Sequence, residues 1–543
     1  MCKMFPRWMI AVFFAAFLLL GLLTAGDYGV PWDENDEMDI LRMNLWEYAR
    51  ALGMDESAFE RRAGRFDEEL TISALTPISE SIEQDHGISA FYPMAGVVMS
   101  EEITEARRSE LWHMWCWAIF TLGAFALYAV LRHLHLGRLS ALLGPVFLLL
   151  TPQFFAHGHF NNKDIALFSL VLCVLWQALR LMERPTFIRG LLFALAGAFA
   201  ANTKLAGLAV WGLCALFVLI CQLVKRNMRP RVWAVACVTF VSFFGFYALI
   251  TPALWADPAA FIEYGVVNAL SFQRWKNVLL FRGTVFFLSQ QSLPFYYLPY
   301  MILATTPLWL IAVIALGAVM ALPVAFRRRA WADDGLKWLL VLLLFVLPLG
   351  VAVLTRTNVY NGWRHFYFVF GPMLVLAAWG VDRVAQGLKK RCAKRVCALA
   401  LAICMLLTGA GIIAEHPYQY AYYQPIVQMR GTDFNELDYW NISVRDALLQ
   451  LAESQAGEMA IMAGDGLAGY GLEKALYAMD DELGSRFHRV WEADEAQYVL
   501  VNPTYANFSE FEMTDDLQEK ITLTSYGQPI MRIYERMPKG DAI

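Results

Sequence analysis

The feature that most constrains this chain is a run of about 20 apolar residues that recurs along most of its length, with short charged segments between the runs. A bilayer core about 30 Å thick takes roughly 20 apolar residues per helical crossing. Of the 543 residues, 58% are hydrophobic and only 17% are charged, which is more apolar surface than a water-soluble core can bury. The sequence therefore predicts an all-α polytopic membrane protein.

The apolar runs predict about 11 transmembrane helices. The first run follows Lys3 and Arg7 and has no convincing small-residue cleavage site before Asp27, so it is predicted to be a retained helix and not a signal peptide. The two short runs that meet at Thr203 and Lys204 form either two crossings or one re-entrant feature. The predicted spans are 8–25, 112–131, 139–156, 165–182, 190–203, 205–224, 232–252, 298–321, 337–354, 366–381 and 396–414.

Basic residues are concentrated in alternate loops, which predicts the orientation of the chain. By the positive-inside rule these loops and the N-terminus are cytoplasmic, which predicts a multi-pass protein of the plasma (inner) membrane. The external parts are then loops 26–111, 157–164, 251–297 and 355–365 and the tail from 415. The basic loop residues are Arg132, Arg138, Arg180, Arg184, Arg189, Lys225, Arg226, Arg229, Arg231, Arg327, Arg328, Arg329, Arg383, Lys389, Lys390, Arg391, Lys394 and Arg395.

The tail has a different composition from the rest of the chain. Residues 415–543 carry 22 Asp and Glu against 9 Lys and Arg. A helical pattern at 442–455 and strand-like patterns at 459–463, 498–501, 521–525 and 530–534 predict a small α/β domain. We therefore expect two domains: a transmembrane catalytic domain at 1–414, with a large first external loop at 26–111, and an external C-terminal domain at 415–543.

A dense group of carboxylates follows the first span, in the segment from Gly29 to Glu37. Asp33 could cap a helix whose apolar positions lie along the membrane surface, with the next acids near its positive end. Alternatively, Asp33 is a general base, since a carboxylate held just above the lipid can deprotonate a hydroxyl or amine that arrives from water. The two interpretations are compatible.

The second external loop carries His157, His159, Asn162, Lys163 and Asp164. Asn162 or Asp164 could simply cap the helix that follows. The two histidines and Asp164 could instead bind a divalent metal, although their spacing is loose. The alternatives stay open at this point.

Cationic residues at the external membrane level are few, and a cation there is costly without an anion. Such residues suggest a phosphate partner, whereas the alternative is that the long side chain only reaches lipid head groups. We favour the second interpretation for Arg274 and Lys276 and phosphate binding for Lys204 and Arg364. Lys163, Arg356 and His365 are further candidates for the phosphate site.

These motifs, in this order and on this side of the membrane, resemble bacterial members of glycosyltransferase family 39, related to protein O-mannosyltransferases and to the aminoarabinose transferases of lipid A. The resemblance covers roughly the whole membrane region. It rests on Asp33-Glu34, Asn162-Lys163-Asp164, Thr203-Lys204, Pro294-Phe295-Tyr296-Tyr297-Leu298-Pro299, Tyr360-Asn361-Gly362-Trp363-Arg364-His365, His416-Pro417-Tyr418-Gln419-Tyr420 and Leu437-Asp438-Tyr439-Trp440.

The resemblance implies a GT-C fold and an inverting transfer of a sugar from a polyprenyl-phosphate carrier. It implies that Asp33 occupies the position of the family's catalytic aspartate, that Glu34 helps to place the acceptor and that Asp164 is a second-loop acid facing the same cavity. Cations, here Lys204 and Arg364, would stabilise the departing phosphate. The resemblance implies no bound metal and no cofactor, and the tail lacks an obvious sugar-binding repeat.

The expected partners are a polyprenyl-phosphate-linked sugar donor, an acceptor that is a lipid, a glycan or a protein, and membrane lipids, without nucleic acid. Three other functions are considered. A transporter or flippase would place charges at mid-membrane, whereas most charges here lie at span ends. A ligase or polymerase of lipid-linked glycans would share the donor lipid but not the early acidic pair. A non-catalytic assembly or sensing protein with an external domain is the third.

Overall fold

A computed structural model of the chain describes residues 6–63, 76–271, 278–327, 331, 334–506 and 512–537. The predicted positions Lys3, Arg274, Lys276, Arg328 and Arg329 lie outside the described residues. Up to the middle loop the helices are α1 (Arg7–Thr24), α2 (Glu34–Ala51), α3 (Glu56–Ala63), α4 (Ala95–Val98), α5 (Glu105–His133), α6 (Arg138–Leu149), α7 (Pro152–Phe160), α8 (Asn162–Glu183), α9 (Phe187–Thr203), α10 (Leu205–Val224), α11 (Pro230–Ile250), α12 (Ala253–Ala256) and α13 (Pro258–Ser271).

A short hairpin of β1 (Val278–Phe281) and β2 (Thr284–Phe287) separates these helices from the second group. The turn of the hairpin places Arg282 and Gly283 at positive φ, +53° and +76°, which suits a tight two-residue connection. The helices that follow are α14 (Tyr297–Thr305), α15 (Leu308–Phe326), α16 (Gly335–Thr355), α17 (Phe370–Gly387), α18 (Arg391–Ala414) and α19 (Pro425–Gln428).

Within the described residues, nine helices are long and apolar enough to cross a membrane, or ten if one bent pair counts as a single span. This confirms a mostly helical, multi-pass membrane protein. The number is smaller than the predicted 11, partly because the predicted span 190–203 is α9, a helix of only 17 residues. α9 and α10 pack on each other on either side of Lys204, so the turn between them is a sharp reversal.

Two predicted spans are wrong as continuous helices, and both break at a proline. The span 139–156 is divided into α6 and α7, which meet at an angle of 75° before Pro152. The span 298–321 is divided into α14 and α15 before Pro307. Proline has no N–H and disfavours a helical conformation in the residue before it. The amide and side chain of Gln424 donate to the carbonyls of Ala304 (2.7 Å) and Thr306 (2.9 Å) at the second break.

α5 and α8 form the centre of the helical bundle, because 67% and 83% of the residues in their most apolar 18-residue stretches are buried. α1 and α18 lie at its edge, with 17% and 6% buried. α15 and α17 approach closely where Gly317 faces Gly380, since a Cβ on Gly380 would meet the Cα of Gly317 at 2.8 Å. Small residues allow such close helix contacts in membrane proteins.

Charged side chains from three of the predicted cytoplasmic loops meet at one end of the bundle. His133 Nδ1 lies 3.1 Å from Glu183 Oε1, and Lys337 Nζ lies 3.3 Å from the same oxygen and 3.1 Å from Asp334. The grouping of these loops on one side therefore agrees with the charge pattern. Which face of a membrane they occupy stays a prediction.

The C-terminal part contains a small mixed sheet, as predicted. Its elements are α20 (Val444–Ser454), β3 (Met459–Ala463), α21 (Gly466–Tyr477), α22 (Asp481–Gly484), β4 (Phe487–Arg489), β5 (Tyr498–Val501), α23 (Pro503–Ala506), β6 (Leu517–Ser525) and β7 (Gln528–Arg536). The strand order is β4-β3-β5-β7-β6, with β3 parallel to β4 and β5 and with β7 antiparallel to β5 and β6. The four predicted strands are confirmed, whereas α21 and β4 were not predicted.

The C-terminal part is fastened to the segment that follows α1. Arg445 donates hydrogen bonds to the backbone carbonyls of Gly26 (2.9 Å), Asp27 (2.6 Å) and Tyr28 (2.8 Å). The hydroxyl of Tyr28 donates to Gln419 at 2.9 Å. These contacts hold the sheet-containing part against the end of the bundle where the acidic segment begins.

Candidate active site

A cavity of about 900 Å³ lies at the end of the bundle where the predicted external loops meet. Its polar walls come from the start of α2, the start of α8, the turn between α9 and α10, and the segments 357–368 and 439–440. Another wall is apolar and consists of side chains of α10 and α16, including Leu213 and Leu347. The structure therefore brings Asp33, Lys163, Asp164, Lys204, Arg364 and His365 into one cavity.

Asp33 lies at the N-cap position of α2, but its side chain makes no capping hydrogen bond. The carboxyl group lines the cavity and is half-buried. Burial raises the pKa of Asp33 to about 8, and the charge of Arg364 opposes this shift. The geometry therefore does not support capping as the reason for this residue, and it leaves the carboxyl group accessible from the cavity.

Two of the three cavity cations are paired with carboxylates. Lys163 Nζ lies 2.8 Å from Glu37 Oε1, and Lys204 forms an ion pair with Asp164. Asp164 belongs to the first turn of α8 and is not its N-cap, since that position is held by Asn161. Each pair joins two different elements, so the ion pairs fix the relative positions of α2, α8 and the turn before α10.

Arg364 is held by aromatic rings. Its guanidinium carbon lies 4.3 Å from the ring centroid of Trp440, 4.6 Å from that of Tyr360 and 5.0 Å from that of Tyr439. Its Nη2 donates to the hydroxyl of Tyr439 at 3.2 Å. Among the described residues, Arg364 is in no ion pair. The rings stabilise the cation through their faces and leave most of its N–H groups for another acceptor.

Three other predicted site residues have different surroundings. Glu34 is buried and is absent from the cavity wall, and its Oε2 lies 2.7 Å from Nε2 of His113 in α5. Arg356 is exposed at the end of α16, at φ +51°, and does not line the cavity. His365 lines the cavity, with its ring centroid 4.2 Å from that of Tyr360. The roles implied for Glu34 and Arg356 stay predictions.

The two histidines of the second loop are engaged separately. His157 Nδ1 lies 3.1 Å from the side-chain nitrogen Nδ2 of Asn161. His159 is stacked between Tyr28 and Trp117, and its Nε2 lies 3.0 Å from the hydroxyl of Thr24. Within the described ranges, no three His, Cys, Asp or Glu side chains are grouped so that they could hold a metal ion. The site that was considered at His157, His159 and Asp164 is therefore not assembled here.

Sequence reasoning missed several residues of this cavity. Glu83 and His86, whose side chains contact each other, reach it from a part of the first loop that carries no distinctive motif. Tyr439 and Trp440 were recognised as a motif but without a role. Their position directly before the predicted sheet-containing part was the available signal, because aromatic residues are enriched where two protein surfaces pack on each other.

A buried carboxyl group ties three segments together next to the cavity. Glu436 Oε1 accepts a hydrogen bond from the amide of Leu280 at 3.2 Å and another from the side chain of Asn361. Burial raises the pKa of Glu436 to about 7, and the hydrogen bond from Asn361 opposes this shift. The β1-β2 hairpin, the segment before Arg364 and the segment before Tyr439 are therefore held in one arrangement.

The cavity combines a carboxyl group that can take up a proton, a buried cation with available donors and an apolar wall. Leu347 and Val351 of α16, which line the apolar wall, are 46% and 51% exposed, so this part of the wall is not covered by other side chains. A ligand with a long apolar chain and an anionic head group could therefore place the head group near Arg364. Asp33 lies in the same cavity, where a second reactant can arrive from the aqueous side.

Comparisons with known proteins give structural similarity only. No family model and no curated protein matches the sequence. ArnT from Cupriavidus metallidurans is 15% identical to this chain, with a TM-score of 0.45, both in its apo structure and in its structure bound to undecaprenyl phosphate. The apo structure matches over 96% of this chain and 97% of that chain. The undecaprenyl phosphate complex matches over 98% of this chain and 99% of that chain. The apo oligosaccharyltransferase from Archaeoglobus fulgidus is 12% identical with a TM-score of 0.46, over 91% of this chain and 70% of that chain.

Proposed function

We propose that this protein is an inverting glycosyltransferase that moves a sugar from a polyprenyl-phosphate carrier to an acceptor at the outer face of a prokaryotic plasma membrane. The observation that carries the proposal is the placement of Asp33 and Arg364 in one cavity whose far wall is apolar. A polyprenyl-phosphate sugar has matching parts: an apolar chain, an anionic phosphate and a sugar at the point of reaction.

The donor would lie with its chain against α10 and α16 and its phosphate at Arg364. The planar guanidinium can donate two parallel hydrogen bonds to phosphate oxygens. Lys204 stands on the same cavity wall in its pair with Asp164, where its charge adds to the field at the phosphate. Asp164 in this arrangement orients Lys204.

The chemical step needs a base and a stabilised leaving group. Asp33 takes the proton of an acceptor hydroxyl or amine, whose oxygen or nitrogen attacks the anomeric carbon of the sugar. The bond between that carbon and the phosphate oxygen breaks, and the electron pair leaves with the polyprenyl phosphate. Attack from the side opposite the phosphate inverts the configuration. Arg364 and Lys204 stabilise the charge that develops on the leaving oxygen.

The side of the membrane follows from the loop charges. The segments that line the cavity are those that the positive-inside rule assigns to the exterior. The sheet-containing part from 415 onward supplies Tyr439 and Trp440 to the cavity, so we propose that it is an external domain of the enzyme. The expected acceptor is a lipid, a glycan or a protein.

The test is transfer of labelled sugar by the purified chain in nanodiscs, supplied with a panel of synthetic polyprenyl-phosphate sugars and membrane extract as acceptor. Asp33→Asn is expected to lower the rate by on the order of 10²-fold or more, because a positioned general base is lost. Asp494→Asn, an exposed aspartate far from the cavity wall in the C-terminal part, is the matched control and should keep the wild-type rate. No transfer from any donor, or an Asp33→Asn rate within a few-fold of wild type, contradicts the proposal.

A further inference from the structure

A second large space in the molecule shares no lining residue with the candidate active site. It is a groove of about 980 Å³ between α18 on one side and α6, α15 and α17 on the other. Every described residue that lines it is apolar or a cysteine except Lys394, at the start of α18. The groove runs along α18 from Lys394 to Ile413.

α18 itself is loosely attached to the bundle. Only 6% of the residues in its most apolar 18-residue stretch are buried, compared with 83% for α8. Ile412 is the one buried residue of α18. An apolar helix of 24 residues with so little protein contact is in contact with lipid on most of its surface. The groove between α18 and the rest of the protein is therefore open to the lipid chains of a bilayer.

The groove is long and narrow. Lys394 and Ile413 are about 28 Å apart along a helix that rises 1.5 Å per residue. A space of 980 Å³ over this length has a mean cross-section of about 35 Å². Extended hydrocarbon chains can lie along a groove of this shape.

Charge indicates which lipid head group the groove accepts. Lys389, Lys390, Arg391, Lys394 and Arg395 form a basic cluster at the Lys394 end, and all five are exposed. Among the described residues, none of the five is in an ion pair. Basic clusters next to an inter-helical groove attract anionic head groups at roughly 1 kcal/mol per cation. The half of the groove nearest Lys394 is about 15 Å long, the depth of one leaflet.

We propose that this groove is a binding site for one anionic diacyl phospholipid, with its phosphate at the basic cluster and its acyl chains between α18 and α17. The lipid fills space that the protein leaves open and joins α18 to the bundle. α18 leads directly into the segment that fastens the sheet-containing part near Tyr28. The site is independent of the proposed transferase activity.

The experiment is native mass spectrometry of the full-length chain after mild delipidation and incubation with phosphatidylglycerol or phosphatidylcholine of the same acyl chains. We expect one phosphatidylglycerol to be retained at least tenfold more tightly than phosphatidylcholine. The double variant Arg391→Gln/Lys394→Gln should lose about 30-fold in phosphatidylglycerol affinity, or about fivefold per cation. Arg229→Gln/Arg231→Gln, two exposed positions at the start of α11 that do not line the groove, is the matched control and should not change the affinity.

A third variant tests the groove itself. Ala402→Phe places a large ring in the apolar groove and should reduce retention of both lipids while the thermal midpoint shows that the chain is folded. Equal retention of the two lipids by the wild type overturns the proposal, as does unchanged phosphatidylglycerol affinity in the Arg391→Gln/Lys394→Gln variant. Dimers that Ala402→Phe abolishes would show instead that the groove is a protein interface.

Discussion

Replacing Arg364 by lysine keeps the charge but removes the planar donor group that the proposed phosphate site depends on. In the structure the guanidinium lies within 5.0 Å of three ring centroids and gives one hydrogen bond, at 3.2 Å, to Tyr439. Two parallel hydrogen bonds to a phosphate remain possible for arginine, whereas lysine presents a point charge. One charge-assisted hydrogen bond contributes about 1.5–3 kcal/mol, so Arg364→Lys should raise the donor concentration for half-maximal rate by about 10- to 150-fold.

The assay is the rate of transfer against donor concentration in nanodiscs, at a fixed saturating acceptor concentration, followed by the converse titration. Arg364→Ala should weaken donor use further than Arg364→Lys, and neither should change the acceptor dependence by a comparable factor. Arg383→Lys is a matched control, because the Arg383 guanidinium lies 5.2 Å from the Trp379 ring at another position in the fold, outside the cavity wall. It should leave both dependences at the wild-type values.

Two results would refute this reasoning. A donor dependence of Arg364→Lys within threefold of wild type would mean that the guanidinium does not hold the phosphate. Equal losses in donor and acceptor use, accompanied by a lower thermal midpoint, would mean that Arg364 only supports the aromatic residues around it. In either case the phosphate site would have to be sought at Lys163, Lys204 or His365.

Three further predictions concern other parts of the molecule. Burial raises the pKa of Asp33 to about 8, and a general base must be ionised to act. The value of kcat/KM should therefore fall about tenfold for each pH unit below 8. A flat pH profile of the wild type between pH 6 and 8 contradicts the base assignment. Glu34→Gln and His113→Asn should each lower the free energy of unfolding, measured by thermal and denaturant unfolding, by about 1–3 kcal/mol. The double variant should lose less than the sum of the two single losses. Unchanged stability would show that the buried pair is not structural. A reporter fused after Ile543 should be external and one inserted after Asn227 cytoplasmic, and a cytoplasmic C-terminus would reverse every site assignment.

The sequence predicted which residues would share a cavity because sidedness limits the possibilities. Once the loops were ordered by charge, Asp33, Asp164, Lys204 and Arg364 all belonged to the same side, and side chains at span ends on one side can meet. The sequence did not predict the pairing among them. The partner of Lys204 could have been any of several nearby acids, because the choice depends on how α8 and α10 cross.

Other features were inaccessible because they depend on which face of a helix points inward. His113 lies within the apolar helix α5, and only the packing of α5 against α1 and the segment after α1 shows that it meets Glu34. The breaks at Pro152 and Pro307 were visible as prolines, but a proline in an apolar run can also kink a continuous span. Whether the helix kinks or breaks is decided by tertiary partners such as Gln424, which donates hydrogen bonds to backbone carbonyls at the second break.

The three cavity cations have different surroundings, which favour different roles in the proposed mechanism. Lys163 and Lys204 are paired with Glu37 and Asp164, so much of their charge is already balanced and their positions are fixed. Arg364 is stabilised by ring faces, which attract a cation without occupying its hydrogen-bond donors. A cation held in this way can bind and release a phosphate without breaking an existing ion pair. Two of its three rings, Tyr439 and Trp440, come from the chain beyond α18, so the proposed phosphate site requires the C-terminal part to be in place.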